Sequence, residues 1–341
     1  VGDIIKVNNG AIINFGNLFG QVEYSNHGIS AFLAGSVNAS WFQRYDHYNY
    51  TSEPLSQVVS MTGWDIKLGM NYNINEFNNI YLNCGYFSRV PYFKYVFGTF
   101  TNEPSSNLQN EKIRTAELGY GYRNNSTRVL LNTYYTYWED RSLLANEYNQ
   151  FLLPVMIRGL DAQHLGIELE AQQYLGKYLR IGMLLSFGDW QWKNDVSAEV
   201  LNRDNVVTDT VEFYADGLYV GDAPMLQLGL NGTLTFLKQF DLTLNWLYYD
   251  RLYADSNPVQ RTDPDDRAQS FRLPSYHMVD LHLGFSFSLF NRPALLQASC
   301  YNLLNSKHII RGLDGPTHDV NSFTGFWDFG INFGFGMKVS F

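Results

Sequence analysis

The sequence predicts an all-β protein, a transmembrane antiparallel up-and-down β-barrel. Three observations carry that expectation. Apolar and polar side chains alternate residue by residue over long stretches, and the connections between those stretches alternate between short and long. Aromatic residues make up 16% of the 341 residues, with 24 Tyr and 24 Phe. Strict alternation separates the two faces of a strand, whereas a helix would mix them. A barrel strand turns one face to lipid and the other to a lumen. Its mean hydropathy therefore stays near neutral, here −0.23, while each face is extreme. No run of about 18 apolar residues offers a helical span. Aromatic rings, apolar in body and polar at the tip, suit both membrane–water interfaces.

In chain order, a first strand is expected around residues 14–24. Trp64, Ile66, Leu68, Met70 and Tyr72 then oppose Asp65, Lys67, Gly69 and Asn71. Leu165, Ile167 and Leu169 oppose Gly166, Glu168 and Glu170. Leu179 to Phe187 repeats the pattern with odd positions apolar, residues 226–236 and 240–248 repeat it with even positions apolar, and 279–287 with odd ones again. The cleanest case is the last: from Trp327 to Phe341 every odd position is apolar and every even one polar or glycine. It is expected to be one strand.

Half-buried strands of a soluble sandwich would also alternate, and the connections separate the two readings. Short polar links fall near 25–28, 75–79, 124–126, 176–177, 238–239 and 291–293. Between them lie long ones, roughly 46–60, 91–111, 142–160, 194–222, 255–273 and 306–325. Periplasmic turns at one end and extracellular loops at the other give this order in an outer-membrane barrel. About thirteen strands result, each near the length a tilted strand needs to cross the hydrocarbon. If the last strand descends to the periplasm, so does the first, and an odd set cannot close in the usual even-numbered way. Open edges in lipid cost several kcal/mol per unpaired group. Residues 1–341 are thus expected to be the C-terminal portion of a larger barrel; the alternative is a fourteenth strand at 3–7.

A net charge of −9 excludes the basic face that a nucleic-acid binder needs. Cys84 and Cys300 form no framework and are read as small apolar residues on the outward face of distant strands. The chain opens Val1-Gly2-Asp3 with no leader pattern, and a mature or truncated product is expected.

Three places resemble one family. Asn110-Glu111-Lys112, followed by Ala116-Glu117-Leu118-Gly119-Tyr120-Gly121-Tyr122, resembles the P-E-x…E-L-G-Y strand entry of TonB-dependent receptors, with Asn110 in place of the usual proline. Tyr301-Asn302-Leu303-Leu304-Asn305-Ser306-Lys307-His308 is similar to their penultimate-strand N-L-F-N-K-K-Y ending. The terminal Phe341 is similar to the aromatic that outer-membrane proteins present to the barrel-assembly machinery. The resemblance covers essentially the whole chain. It implies the outer membrane of a Gram-negative bacterium, and a barrel of 22 strands filled by an N-terminal plug that engages TonB. Neither plug nor TonB box is recognisable in this sequence. It implies active uptake of a siderophore, haem, cobalamin or an oligosaccharide. The implied partners are outer-membrane lipid, the TonB system through the plug, the assembly machinery and, as an open option, a surface lipoprotein.

No catalytic constellation is present: no phosphate loop, no Gly-x-Ser-x-Gly, no His-Glu-x-x-His. The seven histidines have no metal-ligand spacing on a shared face, and no cofactor is expected. His308 and His318-Asp319 share one outer loop and are expected to be solvated. Asp263, Asp265 and Asp266 have the oxygen ligands for a hard cation but lack the glycine and glutamate of a calcium loop, so a solvated loop is expected. Glu168 and Glu170 are read as lumen lining that meets the plug. The candidate ligand residues are Phe87, Arg89, Trp190, Trp192, Tyr249 and Arg251. By parity they face inward at the outer strand ends, where stacking and Arg hydrogen bonds would suit a sugar or a chelate carboxylate. The competing reading of the same six is plug packing or the interface belt. The leading function is a TonB-energised importer. A passive channel of about fourteen strands is the runner-up, and a barrel enzyme ranks last.

Overall fold

The computed structural model describes residues 8–98, 101–145, 155–202 and 206–340. The segment 3–7 and the terminal Phe341 lie outside the described residues. One antiparallel sheet dominates. It begins with β1 (Asn9–Asn26), β2 (Ile29–Asp46), β3 (Val59–Asn73) and β4 (Asn78–Arg89). A single helical turn, α1 (Phe93–Val96), comes after β4. The sheet continues through β5 (Glu111–Arg123), β6 (Thr127–Ala145), β7 (Val155–Leu175) and β8 (Leu179–Trp192). A hairpin of β9 (Val196–Leu201) and β10 (Val207–Phe213) leaves the wall after β8 and returns to pair with the outer end of β7. Next come β11 (Leu226–Phe236), β12 (Phe240–Asp250), β13 (Tyr276–Leu289) and β14 (Arg292–Tyr301). A separate ladder of β15 (Ile309–Leu313) and β16 (Thr324–Trp327) precedes β17 (Asn332–Val339). The wall therefore has thirteen strands in sequence order, apart from the two inserted hairpins. β1 and β17 are its edges and do not pair with each other.

The register shows why these sequences form this wall. Leu33 stands opposite Leu68, Leu68 opposite Cys84, and Leu82 opposite Leu118. Met183 faces Leu230, which faces Trp246. All of these lie on one face, and Leu33, Leu68, Leu82, Leu118, Met183 and Leu230 are exposed. A continuous apolar surface of this size is incompatible with water and suits lipid. On the opposite face Asn83 meets Glu117, Asn132 meets Glu168, and Asn245 meets both Asn231 and Asp280. No helix among the described residues is long and apolar enough to cross a membrane, a statement that leaves crossing by strands open. Both cysteines are free.

The short connections are tight. His27 and Gly28 take φ of 46° and 81°, and Phe290 and Asn291 take 49° and 60°, the paired left-handed geometry of two-residue hairpin turns. The long connections hold most of the apolar core. Val155, Leu160, Ala198 and Leu218 form one cluster with Trp192, and Leu252, Ala254, Leu273 and Ile309 form another. A polar-lined wall has no interior of its own to fill, so the outer loops build small cores above it. The expected single strand from Trp327 to Phe341 is interrupted. Gly330 at φ 79° breaks the ladder between β16 and β17, and Asn305 accepts the Ile331 N–H at 3.1 Å.

Candidate functional site at the outer end of the lumenal wall

The polar face of β4 to β8 carries a row of rings and charges at its outer end. Arg89 on β4 is opposite Glu111 on β5 and pairs with it. The Arg89 guanidinium also lies 4.9 Å from the Tyr92 ring and 5.4 Å from that of Trp138. Glu111 is only 2% exposed and accepts the Ser142 N–H at 3.3 Å. Trp138 on β6 reaches His164 on β7, with ring centroids 6.5 Å apart. His164 reaches Trp190 on β8 at 5.4 Å, with the rings tilted by 31°. Trp190 Nε1 then donates to the Tyr134 hydroxyl at 3.0 Å. His164 and Trp190 are directly opposed on β7 and β8, Trp138 is diagonal to His164 across β6 and β7, and Tyr134 of β6 reaches Trp190 over Gly166 of the intervening β7.

The wall is shaped to let these rings lie flat. A Cβ on Gly188 would sit 2.7 Å from Trp190 Nε1, so only glycine leaves room for the indole. A bulge places one further residue. Trp138 is opposite Ala162, yet three residues later Arg141 is opposite Leu160, two residues back on β7. Asp140 takes φ 59° and absorbs the extra residue, and the strand beyond it is re-aimed, as bulges do. Arg141 therefore shares the face of Trp138, with its guanidinium 4.9 Å from the Trp138 ring and 5.3 Å from that of Trp192.

The six residues singled out from sequence fall in different surroundings. Arg89 and Trp190 are joined through Trp138 and His164. Phe87 lies on the same face but under Lys67, whose ammonium is 5.4 Å from its ring. Trp192 is buried among Leu160, Phe213 and Leu218, so its main contacts are in the loop core rather than the open lumen. Tyr249 belongs to another group on β12 and β13. It meets Tyr276 at 5.0 Å, and Tyr276 stacks on His308 at 3.8 Å. Arg251 has the parity of Tyr249 but not its inward facing. β12 ends at Asp250, and φ 52° at Arg251 turns its guanidinium to Phe187 at 4.9 Å and Asp189 at 3.5 Å. Both of those have the parity of the apolar face.

Sequence reasoning missed Trp138, His164, Tyr134, Glu111 and Arg141. Parity offered the signal for His164, since Gly166 and Glu168 share its face, and strand alternation offered it for Tyr134 and Trp138. Nothing offered it for Arg141, whose facing depends on the bulge.

Of the loop residues expected to be solvated, His318 and Asp266 are instead tied to a buried arginine and its partner carboxylate, and His308 is buried. Arg261, 1% exposed, pairs with Asp314 at 3.0 Å and Asp266 at 3.3 Å. His318 bridges the same two carboxylates, Nδ1 to Asp314 at 2.6 Å and Nε2 to Asp266 at 2.8 Å. Burial alone would raise the Asp266 pKa, but the His318 hydrogen bond and the Arg261 charge hold it below its ordinary value. Arg267 grips Asp195 through two bonds of 2.8 and 2.9 Å and lowers that carboxyl. His308 is buried against Tyr276. Asp263 and Asp265 remain exposed. Among the described residues no group of three or more His, Cys, Asp or Glu could hold a metal ion.

A family model described as TonB dependent receptor-like, beta-barrel matches residues 13–303. A comparison with curated protein sequences finds no match. Among solved structures, the copper transporter OprC is 13% identical with a TM-score of 0.68, over 97% of this chain and 48% of that one. The siderophore receptor PiuA from Acinetobacter baumannii is 14% identical with a TM-score of 0.64, over 95% and 42%. The ferric yersiniabactin uptake receptor FyuA from Yersinia pestis is 15% identical with a TM-score of 0.63, over 98% and 46%. At such identities the likeness is one of fold. The chain spans about half the length of these structures or slightly less.

Proposed function

The chain belongs to the TonB dependent receptor-like β-barrel family, and from that premise we propose that it is the C-terminal barrel portion of an outer-membrane importer energised through TonB. The observation that carries this reading is the thirteen-strand wall, apolar on one face and polar on the other, in a fold shared with proteins described as transporters and receptors. In this reading the apolar face meets outer-membrane lipid and the polar face encloses a plug. Glu168 and Glu170, side by side on the lumenal face of β7, are part of the lining that the plug touches. Strands preceding β1 complete the barrel, since the unpaired edges of β1 and β17 would otherwise cost several kcal/mol per unpaired group in lipid.

Ligand is captured by the outer loops and the row from Arg89 to Trp190, then released inward when TonB pulls on the plug. The structural neighbours are named for copper and for iron chelates; the substrate class proposed here is a scarce nutrient complex of that kind, with haem, cobalamin and oligosaccharides as the alternatives. The assembly machinery is the expected partner of the terminal Phe341, and a surface lipoprotein is a further candidate partner.

The test is uptake in cells carrying or lacking the gene, each with and without TonB. Accumulation of radiolabelled iron from ferric citrate, a ferric catecholate and haem, and of labelled copper, cobalamin and maltooligosaccharide, would be measured. Uptake of one of these that requires both the gene and TonB supports the proposal. Gene-dependent entry that persists without TonB, with steady conductance of the purified protein in planar bilayers, overturns it in favour of a passive channel.

A further inference from the structure

Among the described residues five buried side-chain N or O atoms lack a hydrogen-bond partner, and three of them meet at one place. They are Nε1 of Trp138, Nε of Arg141 and Nε2 of His164. Indole and guanidinium nitrogens can only donate. The concentration of dry, unused polar atoms at the outer end of the lumenal wall is therefore weighted towards donors. Buried donors left unpaired cost free energy, and a cationic donor costs more.

Among the described residues no carboxylate forms an ion pair with Arg141, although Glu111 and Asp255 act on its charge from a distance. Glu111, whose carboxylate accepts the N–H of the adjacent Ser142, is already paired with Arg89. The Arg141 contacts are instead the rings of Trp138 and Trp192, at 4.9 and 5.3 Å. Two indoles restrict the plane of the guanidinium without using its N–H groups. A guanidinium held in that way is a preformed fork for a carboxylate, which accepts two parallel N–H bonds. His164 and Trp190, 5.4 Å apart, continue the wall as flat surfaces for a planar ligand body.

We propose that the imported ligand is anionic and presents a carboxylate to Arg141, with Trp138 Nε1 donating a further hydrogen bond and the flat part of the ligand lying along His164 and Trp190. This deepens the importer reading and rests on it for the word imported. Binding at Arg141 is tested without transport.

The probes are 4-fluorobenzoate and its neutral counterpart 4-fluorobenzamide, added to the full native protein in detergent micelles and monitored by fluorine NMR line broadening. Saturable broadening of the benzoate but not the benzamide is expected. Arg141→Gln in the same micelles should weaken benzoate binding about tenfold or more, the usual effect of losing a charged hydrogen-bond pair. Trp138→Phe keeps an aromatic face under Arg141 and removes the pyrrole portion with its N–H donor. It should weaken binding about threefold, and it carries the test if Arg141→Gln does not fold. No benzoate response, an equal benzamide response, or full affinity in these variants overturns the proposal. The uptake assay reports separately. Charge-selective binding with TonB-independent uptake would sink the importer reading alone, and TonB-dependent uptake without that binding would sink this inference alone.

Discussion

Arg89 and Glu111 stand opposite each other on neighbouring strands and form an ion pair whose carboxylate is almost wholly buried. The pair joins the wall to the loops, because Glu111 also accepts the backbone N–H of Ser142 beyond the β6 bulge. Glu111→Gln removes the charge and leaves the Arg89 guanidinium unpaired against Tyr92 and Trp138. The Arg89 side chain is 37% exposed, so water offsets part of the loss. A destabilisation of about 1–3 kcal/mol is expected. Urea unfolding of the variant in lipid vesicles checks it, with Arg89→Lys as the milder comparison.

Gly188 is required by the indole that lies over it. Gly188→Val places methyl groups where Trp190 Nε1 now sits, since even a Cβ would come to 2.7 Å. The indole must lift and break its 3.0 Å bond to Tyr134. Overpacking of this kind costs about 1–3 kcal/mol. The Trp190 contribution to fluorescence, obtained as the difference from Trp190→Phe, should shift to longer wavelength as the ring enters water. An unshifted spectrum would show that the wall tolerates the larger residue.

The outer loops should loosen in acid. Asp266 has its folded pKa held below the ordinary 3.8, so its contribution is fully present above that value. It is lost as pH falls from about 3.8 through the lower folded value. Asp195, lowered by Arg267, acts in the same direction. Limited proteolysis with pepsin between pH 5 and pH 2 should therefore show loop cleavage rising steeply at the acid end. Asp266→Asn should be cleaved more readily already at the upper end, with a shallower rise.

Much of the wall was legible in the sequence because its physics is local. Leu179 to Phe187 alternates in β8 as its side chains require, and Asn124-Asn125-Ser126 ends one strand and begins the next. The elements that were not legible depend on a backbone exception or on distant partners. The bulge at Asp140 moves Arg141 to the lumenal face, φ 52° moves Arg251 off it, and Gly330 divides an apparently unbroken strand. His318 reads as a loop histidine until the fold brings Asp266 to it from 52 residues away. The same holds for the ligand row. Arg89 and Trp190 were visible by parity, but Trp138 and His164, which connect them, gain their meaning only from the register of β4 to β8.

The sidedness of the wall is tested most directly by spin labels placed one at a time along β8 from position 179 to 187, in a background with Cys84 and Cys300 replaced by alanine, reconstituted in lipid. Collisions with dissolved oxygen, which concentrates in hydrocarbon, should peak at the odd positions 179, 181, 183, 185 and 187 and fall at each even one. Odd positions reached more readily by a water-soluble nickel chelate than by oxygen, or a profile without two-residue alternation, would contradict a wall that faces lipid on one side and a lumen on the other.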